Sequence, residues 1–352
     1  MPISPAMAEA AAEEIRRIYA EAERIVAEKI ARRVARGIDE EGYYERKLAE
    51  LQALRREIEA ELRRLQQAER EVERIVADAY EKGSQAAIVD LRKVVQADTL
   101  RTAFAAANQR AVQALAQTTI GNLRATHLRI LRQAEDVYRR VIAETAAPQV
   151  LTGALTRREA AQLALNRFAD MGITGFVDRA GRTWTIESYA EMATRTAAGQ
   201  AAIQGHIDRL IENDRDLVIV SDAPEECPLC APWEGRVLSL TGRTPGYPTV
   251  DQAMAAGLFH PNCRHSLGAY IPGLTEPIRR TRDAEGYQER VQQRYMERQI
   301  RKWKLRESVA ITDEARREAR TKVRAWQARI REFVAEHDRK RLYAREQINR
   351  AR

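Results

Sequence analysis

The residues with the greatest chemical capacity in this chain are gathered between positions 227 and 265. All three cysteines and two of the five histidines lie there, as Cys227-Pro-Leu-Cys230, then 29 residues, then His260-Pro-Asn-Cys263-Arg-His265. Thiolates and imidazoles are the donors zinc prefers, in a tetrahedral site. A Cys-x-x-Cys turn aims both sulfurs at one point, and His-x-x-Cys repeats that spacing. The pattern therefore nominates Cys227, Cys230, His260 and Cys263 as ligands of a structural zinc ion, with His265 as the alternative to His260. The histidine left over can orient a ligand from outside the first ring of donors. Four protein ligands make a closed site rather than a catalytic one that keeps a water position.

Other chemistries fit less well. A redox Cys-x-x-Cys belongs at the strand–helix junction of a βαβ unit, whereas Pro232, Trp233 and Gly235 here indicate a turn. A zinc deaminase needs His-x-Glu before its cysteines, and His206 is followed by Ile207-Asp208. Three unrelated buried thiols remain the plainest alternative. The sequence holds no P-loop, GxGxxG or HExxH motif. Carboxylates are so abundant on helical charge runs that no pair stands out, so no catalytic residue is nominated and the expectation is a protein that is not an enzyme. His127 reads as a packed or half-exposed helix residue.

The elements that must position this cluster are mainly helical. Ser4-Pro5 is a helix start, followed by Ile15, Ile18, Ala22 and Ile25 and a C-cap at Gly37. Tyr44, Leu48, Leu51, Ile58, Leu62, Leu65, Val72, Val76 and Ala79 fall on heptad a/d positions, with Arg55 and Glu69 in the same seam. That is a coiled-coil pattern. Gly83-Ser84 is expected to break it. Further helices are expected over 85–117 and 123–144. Pro148 and Gly153 mark a linker. Thr156 to Glu159 and Ser188 to Glu191 read as capping boxes. Phe176-Val177 and Trp184-Thr185-Ile186 flank a hairpin turn at 178–182. Leu217–Val220 and Arg236–Leu240 read as strands, and Thr249–Gln252 starts a short helix ended by Gly257. The expected architecture is an elongated helical part over 1–148, a small α+β domain carrying the zinc-type Cys/His knuckle over 149–275, and a basic helical tail over 276–352.

Charge is uneven. Formal net charge is +8, yet residues 277–352 hold 23 Lys/Arg against 12 Asp/Glu, so the rest of the chain is net acidic. A basic tail suits an anionic partner, nucleic acid or an acidic protein face, or is simply a solvated helical surface. No secretory signal is visible at the start, no stretch approaches the ~20 apolar residues of a membrane helix, and three cysteines argue against a disulfide framework.

The strings Cys227 to Val237, Tyr247-Pro-Thr and Ala256 to Ser266 closely resemble the phage minor capsid protein type 2 family, as do 172–182, Ser188 to Met192, Arg195-Thr196 and Tyr270 to Thr275. The strong likeness spans about 170–275, with weaker likeness from about 120 to past 330, where Trp303 and Trp326 recur. The chain also resembles the wider Mu-type minor head proteins, in which the position of His265 is sometimes cysteine; that variation implies that His265 competes with His260 as a ligand. The resemblance implies a structural protein of the virion head involved in head morphogenesis. It would be made in the bacterial host cytoplasm and present in few copies, as a homo-oligomer in the particle. Its partners would be the portal protein or the major capsid protein, with packaged double-stranded DNA, bound non-specifically, as a further one. The alternatives are a zinc-containing effector enzyme and a cytoplasmic DNA-binding or assembly factor. Some relatives carry a C-terminal toxin or transferase domain; the basic tail shows no motif of that kind.

Overall fold

Runs of Ala, Glu, Arg, Leu and Gln favour helices, and the chain is mainly helical with a small sheet. The computed structural model describes residues 5–93, 100, 106–172, 176–177, 183–223, 225, 227–276, 278, 281 and 283–349. In order these form α1 (Pro5–Ala35), α2 (Tyr43–Ala49), α3 (Leu51–Arg64), α4 (Gln66–Leu91), α5 (Ala106–Glu144), α6 (Pro148–Leu151), α7 (Arg157–Met171), β1 (Phe176–Val177), β2 (Thr183–Trp184), α8 (Ile186–Glu212), β3 (Leu217–Val220), β4 (Val237–Ser239), α9 (Val250–Ala255), β5 (Leu267–Ala269), α10 (Ala284–Ser308) and α11 (Asp313–Glu336). Ser4 and the turn at 178–182 lie outside the described residues.

Two units are distinguished, each discontinuous in sequence. The first comprises Met1–Glu14, Glu69–Gly121 and Glu191–Arg290; the second Ile15–Ala68, Asn122–Ala190 and Val291–Arg352.

The first unit contains a three-stranded antiparallel sheet in the order β4-β3-β5. Val218 pairs with Leu238 on one side and with Ala269 on the other. As the central strand, β3 is buried along its whole length, which explains an uninterrupted Leu-Val-Ile-Val run where an edge strand would alternate. Val218, Val220, Leu238 and Leu267 pack with Ala87 and Leu91 of α4, Leu210 of α8, and Val250 and Ala253 of α9. Each of the valine and leucine side chains contributes about 1.5–3 kcal/mol of burial, and each alanine less. The strand β5 was not expected. It is three residues long with a glycine at its centre and carries almost no strand signal of its own.

Where α4 and α8 cross, their backbones touch. A Cβ at Gly83 would lie 1.9 Å from the Ala202 carbonyl oxygen, and one at Gly205 would lie 2.1 Å from that of Tyr80. Beside the crossing, Tyr80 Oη donates to Asp208 (2.7 Å) and Arg209 Nε donates to Ser84 Oγ (2.8 Å). The expected break at Gly83-Ser84 is therefore absent: α4 runs through to Leu91, and Gly83 is there to admit α8. Likewise the helices expected over 85–117 and 123–144 are, from Ala106 onward, one helix with Gly121 inside it.

In the second unit the seam of 44–79 begins as α2 and α3, divided at Glu50, and α3 is separated from α4 at Leu65. Both dividing residues keep right-handed helical φ and ψ. Leu54, Ile58 and Leu65 are buried, while Tyr44 and Leu48 are exposed. The capping box at Thr156 forms as expected, with reciprocal bonds to Glu159. At α8 the start lies earlier than Ser188, because Thr185 Oγ1 accepts from the Ser188 backbone (3.4 Å) and Ile186 is helical rather than extended. The hairpin itself forms, Phe176 opposite Trp184.

Residues 291–349 pack within the second unit. Met296 and Ile300 of α10 pack with Ile330 and Phe333 of α11. Gln162 Oε1 accepts from the backbone of Ile311 (2.6 Å). The buried Glu187 carboxylate accepts from Arg16 Nη1 (3.0 Å) and Arg301 Nε (2.6 Å), and Arg16 reaches the Ala344 carbonyl (2.9 Å). His127 is packed as expected, its Nε2 2.9 Å from Tyr19 Oη.

Candidate metal centre

All five nominated residues come together in the first unit. Cys227 and Cys230 flank the tight turn in which the Cys230 amide donates to the Cys227 carbonyl (3.1 Å). A single 3-10 turn, Ala231–Trp233, follows. Gly235, at φ 67°, then turns the chain into β4 while its amide donates to the Val220 carbonyl (3.0 Å). Between Phe259 and Cys263 the chain makes a second knuckle, closed by Cys263 N donating to the His260 carbonyl (2.9 Å).

This second knuckle is strained. Phe259 (φ 58°) and Asn262 (φ 68°) both adopt left-handed backbone. Asparagine tolerates that region, whereas a bulky residue there is an outlier that its surroundings must hold. Phe259 is held by burial in the sheet's core, and Asn262 Oδ1 accepts from Arg195 Nη1 (2.9 Å). Beyond the knuckle, Ser221 N donates to the Ser266 carbonyl and Ser266 N to Ser221 Oγ, both at 2.9 Å, which fixes His265 at the mouth of β5.

The donor atoms form two triplets that share Cys230. Cys227, Cys230 and His260 make one, Cys230, Cys263 and His265 the other, each with all its donor atoms within 4.8 Å of one another. Cys230 Sγ lies 3.5 Å from Cys263 Sγ, which lies 3.5 Å from His265 Nδ1. Cys227 Sγ is 2.8 Å from His260 Nε2. Cys230 is fully buried and belongs to the sheet's hydrophobic core.

The electrostatics follow from this packing. Cys230 shares a hydrogen bond with Cys263 and is buried, and both effects push its thiol up. The same bond holds Cys263 well below the ordinary thiol range, helped by His265 and opposed by burial. Burial would lower His265, but its bonds to Cys263 and Glu234 outweigh that and raise it. The lowered Cys263 thiol favours the thiolate, which is the form a metal takes.

Three sulfurs and two imidazoles on two rigid knuckles form a donor set of the kind that binds zinc. The cluster can hold a metal ion. Sequence reasoning missed Glu234, whose Oε1 lies 2.6 Å from His265 Nε2 with both side chains buried. Its only sequence signal is its position four residues after Cys230, in a chain rich in carboxylates.

Comparison with known proteins places the chain among phage structural proteins. It belongs to the phage minor capsid protein 2 family, whose model matches residues 3–335. It is 29% identical over 206 residues to a structural protein of Lactococcus phage LL-H, covering 54% of this chain and 55% of that protein. The chain thus spans about half the length of that relative. It is 33% identical over 115 residues to a structural protein of Lactococcus phage mv4, covering 30% of this chain and 94% of that one. No solved structure matches it. Among the described residues no helix is long and apolar enough to cross a membrane.

Proposed function

We propose that this chain is a minor structural protein of a tailed-phage head, and that its Cys/His centre is a closed structural zinc site. The carrying observation is family membership over residues 3–335, joined to a cluster whose central sulfur is buried in the sheet's core. When bound, zinc would tie the Cys227–Cys230 turn to the His260–His265 knuckle and hold the strained Phe259 backbone in place. This is a docking unit and not a reaction centre, because the donors are protein side chains on every side.

In the particle we place the protein at the portal or the inner face of the capsid, in few copies and as a homo-oligomer, made in the host cytoplasm before assembly. The heptad residues of 44–79 supply helix-to-helix contacts, in the manner of a coiled coil. The basic face of α11 meets packaged double-stranded DNA or an acidic protein surface. Arg317, Arg324 and Arg331 are exposed there at seven-residue spacing. Contact with phosphates of this kind carries no sequence information.

The test is quantitative mass spectrometry of purified, DNA-filled particles of a phage that encodes this chain. A low and reproducible copy number relative to the major capsid protein is expected. Absence from mature particles would overturn the structural reading in favour of an assembly factor.

A further inference from the structure

We infer that His265, through Nδ1, is the histidine that joins Cys230 and Cys263 on the zinc ion, and that Glu234 is the carboxylate that positions it. This rests on the zinc reading above and says which residues carry it.

Spacing separates the two histidines. Zinc binds thiolate at about 2.3 Å and imidazole at about 2.0–2.1 Å, so donor atoms around one tetrahedral ion lie about 3.5–3.8 Å apart. The Cys230–Cys263 and Cys263–His265 separations, both 3.5 Å, match that figure. The Cys227–His260 separation of 2.8 Å is too short for two donors on one tetrahedral ion. Those two residues share a triplet with Cys230 and not with Cys263 or His265.

Glu234 supplies the second argument. A buried carboxylate is costly without a partner, and this one is 1% exposed. Its Oε1 accepts from His265 Nε2–H at 2.6 Å. With the proton held on Nε2, the lone pair of the neutral ring sits on Nδ1, which is the nitrogen facing Cys263. A carboxylate behind the distal nitrogen of a metal-bound histidine fixes its tautomer and ring plane and raises its basicity. His260 has a backbone acceptor instead of a buried carboxylate: its Nδ1 lies 2.7 Å from the carbonyl of its own neighbour Pro261.

The local chain explains why Glu234 is in reach. The 3-10 turn after Cys230 ends at Glu234, and β3 then sits between the strand leading away from Glu234 and the strand following His265. The sheet register brings together two side chains 31 residues apart.

The experiment is titration of the full-length, metal-depleted protein with Co²⁺, followed by its visible ligand-field bands and its sulfur-to-cobalt charge transfer. The wild type should take one equivalent with a tetrahedral, thiolate-ligated spectrum. His260→Ala should keep that spectrum. His265→Ala should lose the tetrahedral bands. Glu234→Ala should keep the bands but bind 10- to 100-fold more weakly, with Glu234→Gln, which retains an accepting oxygen, recovering part of the loss. Should His265→Ala fail to fold, His265→Cys decides, since an added thiolate should raise the charge-transfer intensity while keeping tetrahedral bands. Loss of the spectrum in His260→Ala, with His265→Ala and Glu234→Ala unchanged, would overturn the assignment. Failure of the wild type to take up Co²⁺ at all would instead sink the metal reading on which it rests.

Discussion

Arg16 Nη1 donates to Glu187 Oε2 at 3.0 Å, with both side chains buried in the second unit. Arg301 shares the same carboxylate. Removing it strands two buried guanidinium groups, and breaking a buried pair from one side costs about 3–5 kcal/mol. Glu187→Ala should therefore lower the unfolding free energy of the second unit by that amount, read from urea denaturation, and Glu187→Gln by less. A loss under about 1 kcal/mol in Glu187→Ala would mean that the pair is not buried in solution.

The α4–α8 crossing makes an equally specific demand. Gly83→Ala and Gly205→Ala each place a methyl group about 2 Å from a backbone oxygen, and overpacking of this kind costs about 1–3 kcal/mol or more. Gly121→Ala is the counterpart. It lies in an exposed helix interior with nothing within 4 Å and should stabilise by about 0.5–1 kcal/mol. Denaturation curves of the three variants should move in these opposite directions.

Those glycines show what could and could not be seen in the sequence. Gly83 was read as a helix breaker because glycine weakens helices locally; only the approach of Ala202, more than a hundred residues away, reveals its use. Thr185 and Ser188 are both good caps, and the choice between them was made by the strands before them. The Cys/His cluster was legible because few residue types bind zinc and their spacing is tight. Glu234 was not, because one carboxylate among many gains meaning only from the β3 pairing that sets it against His265. The basic segment was correctly read as helical, but its packing against Gln162 and Glu187 depends on contacts at long sequence separation.

Asp216 should give the first unit an acid-sensitive brace. Burial pushes its carboxyl up, but bonds from Thr241, Thr244 and Ser239 prevail and hold it below the usual carboxylate range. A depressed folded value stabilises the protein above the unfolded value of about 4, and that stabilisation fades as pH falls further. Asp216→Ala should cost about 2 kcal/mol at pH 7. The gap between variant and wild type should narrow in urea titrations at pH 3 and below.

If α11 meets DNA, changing Arg317, Arg324 and Arg331 together to Glu should weaken binding to duplexes of any sequence. It should also flatten the dependence of log affinity on log salt by about 2–3, since each phosphate contact contributes about 0.9. These side chains are exposed, so the fold should survive, as deletion of the packed 291–352 segment would not allow. An unchanged salt slope would assign this face to a protein partner.

The most direct test of a structural zinc centre is the metal content of the purified full-length chain, with its thermal unfolding measured before and after a strong chelator. One zinc per chain is expected, and chelation should abolish the cooperative unfolding of the first unit, because zinc binding energy is folding energy when no site preforms in the unfolded state. A metal-free chain whose unfolding the chelator leaves unchanged would contradict the account and reduce the cluster to three thiols, one of them buried, beside two histidines.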